Sequence, residues 1–199
     1  MHILLLGATG RTGRLVLKAA KAAGHRVTAH GRSPSEGADA QIGGPFDGPD
    51  LAAAVREADA VLSCLASTNR DGVCSAASAA VLRADPTVRF LTVAGAGVDR
   101  PEDDKGLGDK VVGLVMRVLA GGMLADRQKE IDALAASGAA WTALRPPRLT
   151  DGAGTGRWTF SFDRPAATSI ARADLAGAML EALGRHDMIG RAPFVAGAR

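Results

Sequence analysis

Gly7-Ala8-Thr9-Gly10-Arg11-Thr12-Gly13 has the residue types and spacing that suit a diphosphate. Each glycine has a separate job: Gly7 permits a sharp exit from a strand, Gly10 lets backbone approach a phosphate, and Gly13 lets the following helix sit close to the sheet. From Thr12 onward Leu15, Val16, Ala19, Ala20 and Ala23 share one apolar stripe. The start of that helix therefore offers Thr9, Arg11, Thr12, free N–H groups and the positive end of its dipole to a bound anion. Ahead of the turn, Ile3-Leu4-Leu5-Leu6 is an unbroken apolar run, as expected of a central strand in a parallel sheet covered on both faces. The helix ends at Gly24 and a second strand follows at Arg26–His30, so the unit reads strand, glycine turn, helix, strand and predicts dinucleotide binding.

Selectivity for the adenosine half should lie just past that second strand. An acidic residue there would accept hydrogen bonds from the ribose of NAD, whereas an arginine would pair with the additional phosphate of NADP. Arg32 stands nineteen residues past Gly13, with Ser33 beside it and no acid before Glu36, so NADP(H) is expected in preference to NAD(H), with Arg11 assisting.

The remaining elements must bring these residues to one edge. Ala40–Ile42 is a weak third strand, and a helix over about 50–57 precedes a fourth strand at Ala60–Leu65. The exit Ala66-Ser67-Thr68-Asn69-Arg70-Asp71 lies at the carboxyl end of the sheet, where it either contacts the cofactor or caps a helix over about 72–84. Arg89–Ala94 is a fifth strand ending in Gly95. Lys110–Leu119 is apolar around most of its circumference and must be hidden, either in the domain or as a substrate lid or dimer contact. A separate amphipathic helix over Met123–Ala136 places Arg127 within its apolar stripe, where a charge wants an anionic partner. Ala140–Leu144 is a sixth strand leading into Arg145-Pro146-Pro147-Arg148, followed by a short strand at Trp158–Phe162, a helix at Arg172–Leu183 and a last strand at Phe194-Val195.

This alternation predicts one α/β domain over residues 1–199, a doubly wound and mostly parallel Rossmann-like sheet with helices on both faces. A smaller substrate-side region draws on about 95–125 and 148–170. Two cysteines, one in an apolar run, suit reduced thiols, and the four histidines show no ligand spacing, so no metal is expected. The charge of +3 comes from scattered arginines, not a basic tract, and no long uncharged apolar stretch occurs. A cytoplasmic protein, monomer or homodimer, without nucleic-acid or membrane partners is expected.

The glycine motif, together with Val27-Thr28, Arg32-Ser33, Ser137-Gly138, Trp141-Thr142, Arg145-Pro146 and Ala173-Asp174-Leu175-Ala176, resembles the atypical short-chain dehydrogenase/reductases. The resemblance covers nearly the whole chain. It is to the NAD(P)H-binding group that contains NADPH-dependent flavin and biliverdin reductases and NmrA-like proteins. It implies that Leu65, Ala66, Ala94, Gly95 and Pro146 flank the nicotinamide, and that Arg127 and Arg148 either line the substrate pocket or do less, Arg127 orienting the nicotinamide ribose and Arg148 standing in solvent. The chain departs from the family's chemistry at the expected acid. Ala94-Gly95 replaces the usual Ser or Thr, and the usual Tyr-x-x-x-Lys falls on Met123 and Arg127. With no tyrosine anywhere, carbonyl reduction with a phenol as proton donor is closed to it. Two readings follow. One is hydride transfer to a flavin, quinone or other conjugated acceptor that takes its proton from water, with the two arginines favouring an anionic acceptor. The other is a non-catalytic NADP(H) sensor of the NmrA-like type.

Overall fold

The computed structural model describes residues 1–66, 72–104 and 107–198, with side chains throughout except in 107–120. Six parallel strands form the central sheet: β1 (His2–Leu6), β2 (Arg26–His30), β3 (Ala40–Ile42), β4 (Ala60–Ser63), β5 (Arg89–Val93) and β6 (Trp141–Leu144). Their order is β3-β2-β1-β4-β5-β6, so the winding direction reverses between β1 and β4. That reversal opens a crevice outside the strand ends.

Because side chains alternate along β1, it feeds two cores. Ile3 and Leu5 pack with Val16, Leu175 and Met179, from α1 (Arg11–Ala22) and α5 (Arg172–Leu183) on one face. Leu4 and Leu6 pack with Leu51, Val81 and Ile131, from α2 (Pro49–Glu57), α3 (Val73–Ala84) and α4 (Leu107–Ser137) on the other. Ile3 through Leu6 are all fully buried, which is why the run shows no polar alternation.

The sequence predicts two helices where α4 is one helix of 31 residues. Gly121 and Gly122 lower helix propensity by about 1 kcal/mol each. Neither adopts the left-handed backbone that would end a helix, so packing along α3 carries α4 through them. Where the apolar side chains of 110–119 sit lies outside the described residues. The same holds for residues 67–71 of the fourth-strand exit.

Past β6 the chain adds four short strands, of which the sequence pattern reveals the two at Trp158–Ser161 and Phe194–Gly197 and not the two at Arg148–Thr150 and Ser169–Ala171. β7 (Arg148–Thr150) and β9 (Ser169–Ala171) pair in parallel, and β8 (Trp158–Ser161) pairs antiparallel with β10 (Phe194–Gly197). Residues 191–194 run beside β6 through bridges at Thr142–Arg191 and Arg145–Phe194. Arg145 is fully buried here, and its guanidinium makes a bidentate ion pair with Asp103 at 2.7 Å and lies 3.9 Å from the Phe194 ring centroid. It fastens the loop after β5 to the sheet edge. Asp126 of α4 accepts from the N–H groups of Cys74 and Ser75 at 2.9 and 3.2 Å, capping α3 from a neighbouring helix. Burial works against that charge, but the hydrogen bonds from Ser75 and Cys74 hold the carboxyl below its ordinary range. Among the described residues no helix is long and apolar enough to cross a membrane.

Candidate functional site

Strand register brings the predicted residues to one edge. Leu6 is level with His30 on β2 and with Ser63 on β4, Ser63 with Thr92, and Val93 with Leu144. Gly7, Gly31, Cys64, Ala94 and Arg145 are therefore the next residues out along a single rim.

At its centre is the glycine turn. Gly7 takes a positive φ of 79°, and a Cβ there would stand 2.9 Å from the Cys64 carbonyl carbon and 3.0 Å from Leu65 N. A Cβ on Gly13 would land on the Gly7 carbonyl oxygen, so the first turn of α1 rests on the strand exit. Gly10 N–H donates to the Gly7 carbonyl at 3.1 Å, and Arg14 Nε donates to the Thr9 carbonyl at 2.8 Å. Gly10 precedes α1 without a side chain to cap it, and no acidic residue occupies the first turn. The leading N–H groups of that helix have no intrahelical acceptor. Buried Gly13 and exposed Gly10 and Arg11 thus make a rigid, electropositive cradle with its backbone open outward.

Beside the cradle, Arg32 and Ser33 are exposed just past β2, and Arg32 has no ion-pair partner among the described residues. Gln41 of β3 braces this loop, a role with no signal in the sequence. Its Oε1 accepts from Ser35 N at 3.1 Å and its Nε2 donates to the Gly31 carbonyl at 3.2 Å. Arg11 points the other way, 3.2 Å from Asp151, which also pairs with Arg172 at 2.5 Å. Arg11 and Asp151 are largely exposed. Such surface pairs contribute about 0–1 kcal/mol, so this one does not lock Arg11 away from an anion.

On the far side of the crevice Ala94 N–H donates to the Leu144 carbonyl at 2.9 Å, and Ala96 N–H to the Pro146 carbonyl at 2.8 Å. These bonds seat Ala94, Gly95 and Pro146 together. Arg148 on β7 is exposed and without an ion-pair partner among the described residues. Arg127 is buried. It finds the anionic partner its place in the apolar stripe requires: Nη1 lies 2.5 Å from Glu130 and 3.1 Å from Thr92 Oγ1, and Nη2 donates to the Leu65 carbonyl. Burial is the largest single influence and opposes its charge, but Glu130 first, with Asp126 and other neighbours, together raise the guanidinium pKa above its usual value. The sequence points to Arg127 but not to Glu130, because an Arg and a Glu three apart on a helix look like a solvated pair. Burial pushes the Cys64 thiol up to about 12 against the pull of Arg127, so it stays protonated and is no nucleophile. No phenol stands at this rim, since the chain has no tyrosine.

Residues 7–186 match the family model described as NAD(P)H-binding. No curated protein matches the sequence significantly. Among solved structures, the chain is similar to ChuY, described as an anaerobillin reductase from Escherichia coli O157:H7, at 20% identity and a TM-score of 0.80 over 99% of this chain and 97% of that one. It is also similar to a protein provisionally assigned as an NADH-flavin reductase from Streptococcus pneumoniae TIGR4, at 21% identity and a TM-score of 0.79 over the full length of both. A third is a wide-type short-chain dehydrogenase/reductase from Veillonella parvula DSM 2008 in complex with NADP, at 18% identity and a TM-score of 0.78 over 98% of this chain and 94% of that one. At these identities the likeness establishes the shared Rossmann-like fold.

Proposed function

The chain belongs to the NAD(P)H-binding family, and from that premise we propose that it is an NADPH-dependent oxidoreductase acting on a flavin, quinone or similar conjugated acceptor. The observation that carries this reading is the glycine cradle itself, where two Cβ atoms are excluded by backbone and a helix start stands uncapped. In this reading Gly7, Thr9, Gly10, Arg11, Thr12 and Gly13 hold the diphosphate. Arg32 and Ser33 hold the 2′-phosphate, which an unpaired guanidinium in a braced loop suits. Leu65, Ala66, Ala94, Gly95 and Pro146 wall the nicotinamide.

Bound NADPH supplies the hydride, and the protein's part is to orient two rings and keep water from the space between them. Among the described residues, side-chain acid catalysis has no support at this rim. Tyrosine is absent, the Cys64 thiol is buried and protonated, and Arg127 is engaged with Glu130. An acceptor whose reduced form takes its proton from water needs none of these groups. Arg148, exposed and free of a carboxylate partner among the described residues, favours an acceptor carrying phosphate or carboxylate.

The test is to incubate the pure protein with NADPH and a panel of flavins and quinones while following absorbance of the reduced nicotinamide. Oxidation above the rate without protein, with at least one acceptor, is the expected result. Tight NADP binding without any such oxidation would overturn the assignment and favour a redox sensor.

A further inference from the structure

Glu130 is fully buried, and nothing in the cofactor cradle uses it directly. Its Oε2 lies 2.5 Å from Arg127 Nη1, and its Oε1 accepts from Ser78 Oγ at 2.5 Å and Thr92 Oγ1 at 3.1 Å. A buried ion pair of this kind is weak support for stability, because desolvating two charges offsets most of their attraction. Arg127 Nη2 is aimed at one backbone group, the Leu65 carbonyl. Leu65 is two residues past the end of β4, beyond the ladder that pairs Ser63 with Leu6, so its carbonyl has no strand neighbour to fix it.

That carbonyl sets the direction of the next donor. In a trans peptide the C=O and the following N–H point opposite ways. No cis peptide bond occurs among the described residues, so turning the Leu65 carbonyl inward onto Arg127 turns the Ala66 N–H outward. Ala66 is exposed, and no described residue accepts from its N–H. The peptide just before it, Cys64–Leu65, abuts the cradle: the Cys64 carbonyl carbon and Leu65 N stand 2.9 and 3.0 Å from where a Cβ on Gly7 would be. It also lies at the β1–β4 reversal, where the crevice opens.

We propose that Glu130 is a positioning residue: through Arg127 and the Leu65 carbonyl it aims the Ala66 N–H at a hydrogen-bond acceptor on the nicotinamide half of the cofactor. This rests on the cofactor reading above. Serine and threonine hydroxyls hold Glu130, Glu130 holds the guanidinium, and the guanidinium holds the peptide. The adenosine end, built on Arg32, Ser33 and Gln41, shares no member of this chain.

The two halves can be separated by measuring binding of NADP⁺ and of adenosine 2′,5′-bisphosphate, which lacks the nicotinamide half. Two variants are compared with the unaltered protein: Glu130→Gln, and Arg127→Met combined with Glu130→Gln. The double variant removes both charges at similar volume and leaves no orphaned ion, so the fold is retained if the single change disturbs it. Both variants are expected to bind NADP⁺ about tenfold more weakly, the loss of one well-aimed hydrogen bond. The bisphosphate should stay within about twofold. Parallel weakening of both ligands would reduce the pair to a structural role and overturn the proposal, as would unchanged NADP⁺ binding. If the unaltered protein binds neither ligand, the cofactor reading itself fails and takes the proposal with it.

Discussion

Gly13→Ala is expected to weaken NADPH binding by about 100-fold and to lower folding stability by about 2 kcal/mol. Alanine is the better helix former by about 1 kcal/mol, so propensity alone predicts stabilisation. The new Cβ, however, would stand 2.0 Å from the Gly7 carbonyl oxygen, a backbone atom that no side-chain rotation can clear. Overpacking typically costs about 1–3 kcal/mol, and a clash against a carbonyl sits at the upper end of that range. Helix α1 must then lift from the strand exit and carry its leading N–H groups off the diphosphate. Hydrogen bonds to a charged group are worth about 1.5–3 kcal/mol each, so losing one or two gives the stated drop. Gly10→Ala separates the two effects. Gly10 has a φ of −70° that alanine accepts, and its Cβ would meet only the Gly7 carbonyl oxygen at 3.3 Å. Chemical denaturation should find its stability within about 0.5 kcal/mol of the starting protein, while calorimetry finds cofactor binding weakened, because the methyl occupies the phosphate's approach. A Gly13→Ala protein with unchanged stability and affinity would contradict the description of the turn.

Arg32→Ala is expected to weaken NADPH binding by about 10- to 100-fold, the worth of a charge-assisted pair with a phosphate. Binding of NADH should change less than about twofold, since the only group it lacks is the one Arg32 is assigned to hold. The guanidinium is exposed and has no ion-pair partner among the described residues, so its removal orphans no carboxylate and should leave the fold intact. Equal losses for the two nucleotides, measured by titration under one salt condition, would remove Arg32 from the 2′-phosphate.

Local chemistry made the cradle legible. The apolar run of β1, the three glycines and the stripe on α1 lie within a few residues of one another, and each constrains the next. The inner strands of the sheet were readable for a similar reason, because burial on both faces leaves apolar runs, whereas β3 at the sheet edge is largely exposed and reads only weakly. The long-range polar joints were not. Glu130 under β5, Asp103 on Arg145, Asp126 on α3 and Gln41 across the Arg32 loop all join residues that read in sequence as surface groups. Strands of three residues such as β7 and β9 carry too little periodicity to declare themselves. Arg127 lies between these cases. Its place in an apolar stripe called for a negative partner, and only the packed structure supplies Glu130 and the Leu65 carbonyl that the pair holds.

Calorimetric titration of the pure protein with NADPH, and separately with NADH, bears most directly on whether the amino-terminal turn clasps a diphosphate. Saturable binding of NADPH at one site, with NADH weaker by about tenfold or more, is the predicted result. Heats no larger than dilution for both nucleotides would contradict it.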